Sequence, residues 1–233
     1  MSTERSEPYS DVFLLVLKAL EEAGVLKELV LIGSWCLLLY RHHFGGTDLI
    51  PAVRTTDVDL LVLRPSKPMK EADVPQALAK IGFLEDIAWS TGYAKYNREG
   101  FVVEFLSPLR GDGMEQVQTV KPLNITVQGL RHLNYQDDEL MTLNYQGFSV
   151  RVQRPELYTL FKFIVHEERR NPAKKEKDLD TAQQMARYLM ESEDGRAGLL
   201  WALSRLTKKQ RQAVVRITAD KAPLLSRLFL FNH

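Results

Sequence analysis

Cysteine is nearly absent. The 233 residues hold one, Cys36, so no internal disulfide can form and the multi-cysteine zinc frameworks are excluded. It lies in the apolar segment Trp35 to Tyr40, where a thiol packs as a small hydrophobe. Long apolar runs are missing too, and none approaches the roughly 20 residues of a bilayer span. Met1 to Ser10 is polar and lacks the apolar centre of a signal peptide. These features lead us to expect a cytoplasmic protein with no membrane partner. There is no internal repeat, no low-complexity stretch and no G-x-x-x-x-G-K-[ST] phosphate loop.

What is present is a hydrophobic fraction of 45% beside 26% charged residues, ordinary for a globular chain able to bury a real core. The net charge of +1 hides an asymmetry. Residues 1–150 carry 14 Lys and Arg against 20 Asp and Glu, whereas residues 151–233 carry 17 against 10. An acidic first part suits metal-binding carboxylates, and a basic last part suits a polyanion. Surplus Lys and Arg on a solvated helical bundle is the plain alternative, since both are good helix formers.

The pattern of elements changes along the chain. Ser10 is placed to cap a helix running to about Glu28, with Val12, Phe13, Val16, Leu17 and Leu20 at helical spacing. Leu29 to Ile32 reads as a strand, Gly33-Ser34 as a tight turn, Trp35 to Tyr40 as a helix, Arg41 to Arg54 as a loop, and Thr55 to Leu63 as a second strand. Arg64-Pro-Ser-Lys-Pro breaks the chain before a short helix from Val74 to Ile81. Strands are expected at Phe83–Trp89, Tyr93–Tyr96, Phe101–Leu106, Leu123–Val127, Leu140–Tyr145 and Phe148–Val152, with a glycine-rich loop from Pro108 to Glu115. From Arg154 onward only helices are expected: one opened by Pro155, then Lys174–Met190, Arg196–Leu206 and Lys208–Asp220, then a short apolar tail.

The residues able to carry chemistry cluster early. Side chains alternate along a strand, so Asp57 and Asp59 point the same way while Val58 and Leu60 face the core. Two like charges side by side repel, and a divalent cation is their most economical partner. Two exposed acids on an edge strand would look similar, but the apolar run Leu60 to Leu63 argues for a central strand. Glu104 is the one charge in the run Phe101-Val-Val-Glu-Phe-Leu106. A neighbouring strand would bring it beside the aspartates as a third ligand or a base, and three carboxylates suit two-metal phosphoryl or nucleotidyl transfer. Gly33-Ser34 sits where unpaired helical N–H groups would favour a triphosphate, although an ordinary strand-to-helix turn has the same form.

As a set, Gly33-Ser34, a helix, Asp57-x-Asp59 on a strand and Glu104 on a later strand resemble the DNA polymerase β-like nucleotidyltransferase superfamily. The resemblance covers about residues 28–106 directly. It implies an α/β (α+β) nucleotidyltransferase fold, in which a mixed sheet flanked by helices is followed by a C-terminal helical bundle closing over the cleft. It also implies that Gly33 and Ser34 hold the phosphates of an NTP such as ATP, and that Asp57, Asp59 and Glu104 bind two Mg²⁺ ions. The later chain is similar to the bacterial nucleotidyltransferases of the abortive-infection toxin type. There Lys162 would meet the nucleotide phosphates and Asp178, in Lys177-Asp178-Leu-Asp180, would support the site; a cognate antitoxin protein would be a partner. The plain alternative for Lys162 is a side chain lying along an apolar stripe with its charged ammonium in water.

On this reading residues 1–153 form a catalytic domain and residues 154–233 a helical domain. The expected activity is Mg²⁺-dependent transfer of a nucleoside monophosphate from an NTP to an acceptor hydroxyl. A tRNA or other RNA end would suit the basic last part. A small molecule such as an antibiotic, or a protein side chain, is the alternative within the enzyme class, and a nucleotide-binding regulator without turnover is the rival outside it. Weaker candidates are Lys174, Lys175, Arg169 and Arg170 for a nucleic-acid backbone and Tyr93 or Tyr96 for stacking a base. The adjacent His42 and His43 point apart, and Asp137-Asp138-Glu139 reads as a solvated turn.

Overall fold

The computed structural model describes residues 9–53, 55–65, 67, 69–109 and 116–231. Most of the loop expected at Pro108–Glu115, and Ser66 and Pro68 of the breaker cluster, lie outside the described residues. The chain divides into two compact units. One is built from the chain up to Gly46 with Ala52–Gln153; the other comprises Thr47–Pro51 and the chain from Arg154 onward.

The first unit is organised by a mixed sheet. Its helices are α1 (Ser10–Glu22), α2 (Cys36–His43) and α3 (Val74–Ala79). Its strands are β1 (Leu29–Ile32), β2 (Asp57–Val62), β3 (Leu84–Ile87), β4 (Ala94–Arg98), β5 (Phe101–Pro108), β6 (Val117–Val120), β7 (Ile125–Leu130), β8 (Leu140–Tyr145) and β9 (Phe148–Gln153). Neighbours run in the order β3-β4-β5-β2-β1-β9-β8, and β7 joins the far end of β5 while carrying β6 on its other edge. β2 lies between β1, to which it is antiparallel, and β5, to which it is parallel. The apolar run after Asp59 therefore belongs to a central strand, and Leu60, Leu61 and Val62 are buried.

One face of β2 and β5 carries the core. Val58, Leu60, Phe101, Val103 and Phe105 are buried there. Phe13 of α1 stacks on Trp35 at 4.6 Å, and Trp35 meets Phe101 edge-on at 5.5 Å. Burying each such side chain stabilises by about 1.5–3 kcal/mol, so this aromatic line fixes α1 and the start of α2 against the sheet. Cys36 is buried and its thiol donates to the Leu31 carbonyl, as a structural thiol should.

Local signals account for the element ends. Helix α1 stops at Glu22, not near Glu28: Gly24 takes φ +72°, its N–H reaches the Glu21 carbonyl and that of Val25 reaches Leu20. That pair of bonds is a Schellman closure, which needs a left-handed residue and so favours glycine. Nor does Ser10 cap this helix; it is the first helical residue, preceded by Tyr9 in a left-handed conformation. β7 begins at Ile125 because Lys121–Leu123 forms a 3-10 turn before it. The strand β6 is an addition to the sequence reading.

The second unit is helical throughout its larger segment: α4 (Pro155–Glu168), α5 (Pro172–Met190), α6 (Glu193–Arg205), α7 (Lys208–Lys221) and α8 (Pro223–Phe231). Asn171, Ser192 and Thr207 cap α5, α6 and α7 through their side chains, so α5 and α6 start two to three residues earlier than apolar spacing alone suggests. Leu157, Leu160, Phe163 and Ile164 of α4 pack with Ala182, Ala186, Leu199, Leu203, Val214 and Phe229 into one core. The expected apolar tail is thus helix α8, whose Phe229 is buried in that core.

Candidate active site

The strand register assembles the acidic face. Asp59 lies between Ile32 of β1 and Glu104 of β5, while Asp57 lies beside Val102. Residues opposite each other across a ladder share a face, so Asp57, Asp59 and Glu104 project from the same side, with Asp59 and Glu104 abreast. All three are half-buried, whereas Val58 and Leu60 between and beyond the aspartates are fully buried. The Thr55 hydroxyl donates to Asp57 Oδ2 at 3.3 Å and accepts from the Asp57 N–H at 3.2 Å, fixing the strand's first residue.

Gly33 closes on this face from β1. Its φ is +72°, and a Cβ built on it would stand 2.3 Å from Asp59 Oδ2. Any side chain is therefore excluded twice, by backbone conformation and by the carboxylate. Ser34 follows in the same 3-10 turn, half-buried, and the turn runs directly into α2. The first N–H groups of such a start have no intrahelical partner.

Glu104 has a partner that the sequence did not announce. Lys95 of β4 is in register with it, and its Nζ lies 2.6 Å from Glu104 Oε1. Tyr93, two residues earlier, is buried, and its hydroxyl donates to the Phe105 carbonyl at 3.0 Å. Burial, followed by the Glu104 and Asp59 charges, pushes the Tyr93 hydroxyl well above its ordinary pKa. Both carboxylates thus act on one buried phenol.

The donor set matches a divalent cation in kind: hard carboxylate oxygens on alternate residues of one strand and abreast on the next, with a glycine backbone drawn against one of them. Among the described residues, no three His, Cys, Asp or Glu side chains converge tightly enough to hold an ion as they stand. Glu104 Oε1 takes the Lys95 ammonium, so an ion binding at that oxygen competes with it.

Lys162 and Asp178 come together in the helical unit. Lys162 Nζ of α4 lies 2.5 Å from Asp178 Oδ1 of α5, and Arg169 Nε lies 2.9 Å from Oδ2. The side chains of Lys162 and Asp178 are only 12% and 6% exposed, so Lys162 points inward and its ammonium is committed to the carboxylate. Burial pushes the Asp178 carboxyl up, but Lys162 and Arg169 outweigh it and hold the pKa below the usual value. Lys162 also lies over the Tyr158 ring at 5.5 Å.

The weaker candidates fare differently. Tyr93 and Tyr96 are 4% and 1% exposed, so neither offers a ring for stacking a base. Lys174 and Lys175 are exposed near the start of α5, but Arg169 is paired with Asp178. His42 meets Tyr145 and His43 meets Phe44, so they do point apart. Asp137–Glu139 is a 3-10 turn in which Glu139 is buried, while Asp137 takes Arg64 and Arg151.

A protein-family model described as Nucleotidyltransferase matches residues 13–200. The chain belongs to this nucleotidyltransferase family. No curated protein matches it by sequence. Among solved structures it is similar to an antigenic nucleotidyltransferase-like protein from Paracoccidioides brasiliensis, with TM-score 0.53 and 18% identity, covering 95% of this chain and 93% of that one. At that identity the likeness speaks to fold alone. ANT(2")-Ia in complex with adenylyl-2"-tobramycin aligns with TM-score 0.44 and 14% identity over 81% of this chain and 95% of that chain. A tRNA nucleotidyltransferase complexed with a primer tRNA and an ATP analog aligns with TM-score 0.26 and 15% identity over 90% and 61%.

In this nucleotidyltransferase the family match spans both the acidic strands and the Lys162–Asp178 pair. Sequence reasoning missed Lys95, Thr55 and the part played by Arg169. Thr55 had a local signal, a hydroxyl two residues before an aspartate on a strand. Lys95 and Arg169 had none, because each finds its carboxylate through strand register or helix pairing.

Proposed function

We propose that the enzyme transfers a nucleoside monophosphate from an NTP to an acceptor hydroxyl in a Mg²⁺-dependent reaction, with residues 1–153 as the catalytic domain. The observation that carries this reading is the register that sets Glu104 beside Asp59, with Asp57 on the same face and Gly33 closed against Asp59. Gly33 and Ser34 would orient the phosphates through backbone N–H groups and the serine hydroxyl. Asp57, Asp59 and Glu104 would hold two Mg²⁺ ions, which supply charge neutralisation at the phosphates and acidify the attacking hydroxyl. Glu104 would accept the acceptor's proton or complete the ligand set. Lys162 and Asp178 are the helical domain's candidates for nucleotide binding.

For the acceptor we favour an RNA or tRNA end, supported by the surplus of 17 Lys and Arg over 10 Asp and Glu in residues 151–233. The similarity to the abortive-infection toxin type adds a cognate antitoxin as a partner to seek by co-purification. The test is incubation with each α-labelled NTP and Mg²⁺ in the presence of cell RNA, lysate protein or small hydroxyl compounds. Label entering RNA supports the reading. Label entering only a small molecule or protein reassigns the acceptor, and NTP binding without transfer to any fraction makes the chain a regulator.

A further inference from the structure

Three carboxylates share one face of two adjacent strands, and one of them, Glu104, meets an ammonium of the chain itself, that of Lys95. Its Nζ is 2.6 Å from Glu104 Oε1, at a position in strand register with that residue. The ring of Tyr93 lies 5.8 Å beneath the ammonium, and its hydroxyl is tied to the Phe105 carbonyl at 3.0 Å, giving Lys95 a fixed floor. Like charges abreast on neighbouring strands are unfavourable, and an ammonium at this register relieves part of that repulsion. The lysine is also able to leave: its side chain is 44% exposed, against 18% for Glu104, and its stem is flexible.

We propose that Lys95 is the internal counter-ion of Glu104 and competes with a divalent cation for that carboxylate, so that it sets the site's affinity for the ion. The inference rests on the reading of Asp57, Asp59 and Glu104 as cation ligands. An ion pair this open to water is weak, so a divalent ion displaces it. Displacement lowers the apparent ion affinity by the factor that the pair contributes, about two- to fivefold. Lys95 is a positioning residue in this account, acting on the reaction through Glu104.

The test is Mn²⁺ titration of the full chain, read by the loss of the free-ion paramagnetic signal, for the wild type, Lys95→Met, Lys95→Arg and Asp57→Asn. Lys95→Met keeps the aliphatic stem and removes the charge; it is expected to bind Mn²⁺ about two- to fivefold more tightly. Lys95→Arg restores the charge and should return the affinity toward wild type. Thermal melts should show Lys95→Met less stable than wild type without metal and more strongly stabilised by Mn²⁺. Equal or weaker binding in Lys95→Met, with the wild type binding and Asp57→Asn impaired, would overturn the proposal alone. Absence of Mn²⁺ binding in the wild type would overturn the carboxylate reading and the proposal together.

Discussion

Gly33 is constrained at the acidic face both by its left-handed backbone and by the Asp59 carboxylate. Gly33→Ala places a methyl where Asp59 Oδ2 stands and forces a left-handed backbone on alanine. Such strain costs about 1–3 kcal/mol, and the carboxylate must also move. We expect a lowered melting temperature and transfer reduced by about two orders of magnitude, the scale set by a misplacement of roughly 1 Å, measured by melts and single-turnover kinetics. Asp57→Asn should separate these effects. It removes one of three like charges, so its melting temperature should not fall, while transfer should drop about 10³-fold, as expected for loss of a group stabilising transition-state charge. Full activity in that variant would remove Asp57 from the site.

At this scale the sequence carried the acids but not their company. Alternation on a strand puts Asp57 and Asp59 on one side, and an isolated charge in an apolar run marks Glu104. Lys95 sits in an ordinary polar strand segment, and only pairing across β4 and β5 brings it to Glu104. Tyr93 and Tyr96, weaker candidates for stacking a base, are buried because their side chains face packed neighbours, a property of register and not of residue type.

At the scale of elements, the Lys162–Asp178 pair ties α4 to α5. Removing one partner of a nearly buried pair leaves the other charge uncompensated, so Asp178→Asn should destabilise the chain by about 3 kcal/mol near neutral pH, read by chemical denaturation. The sign of its pH dependence follows from the carboxyl's lowered pKa. Its unfolded value is about 3.9, so the stabilisation is complete above that pH and is lost as pH falls through the lower folded value. Wild type and Asp178→Asn should therefore converge in stability in strong acid. Helix ends are only partly legible in the sequence: Asn171 and Ser192, which apolar spacing overlooks as caps, begin α5 and α6 early, whereas Ser10, a good cap by residue type, does not cap α1. β6 lacks the apolar alternation that marks a strand, being Val-Gln-Thr-Val beside β7. α8 opens with Pro223, a sound first-turn residue, yet its near-continuous apolar character reads as a tail until Phe229 finds its place in the core.

Across the whole molecule, the acidic residues 1–150 and the basic residues 151–233 fall largely in different compact units. No described helix is long and apolar enough to cross a membrane. If the acceptor is a nucleic acid, reversing Lys174 and Lys175 to Glu should raise its KM and reduce the dependence of log affinity on log salt by about 2. An unchanged slope would point to a small acceptor. The central claim is narrower than the acceptor's identity: the acids of β2 and β5 transfer the nucleotidyl group of an NTP. Parallel reactions with α-labelled and γ-labelled ATP, run on the wild type and on Asp57→Asn, test it most directly. The account predicts that α-label becomes covalently attached to acceptor, that γ-label appears only in released pyrophosphate, and that Asp57→Asn abolishes both. Attachment of γ-label, or α-label transfer undiminished by Asp57→Asn, would contradict it.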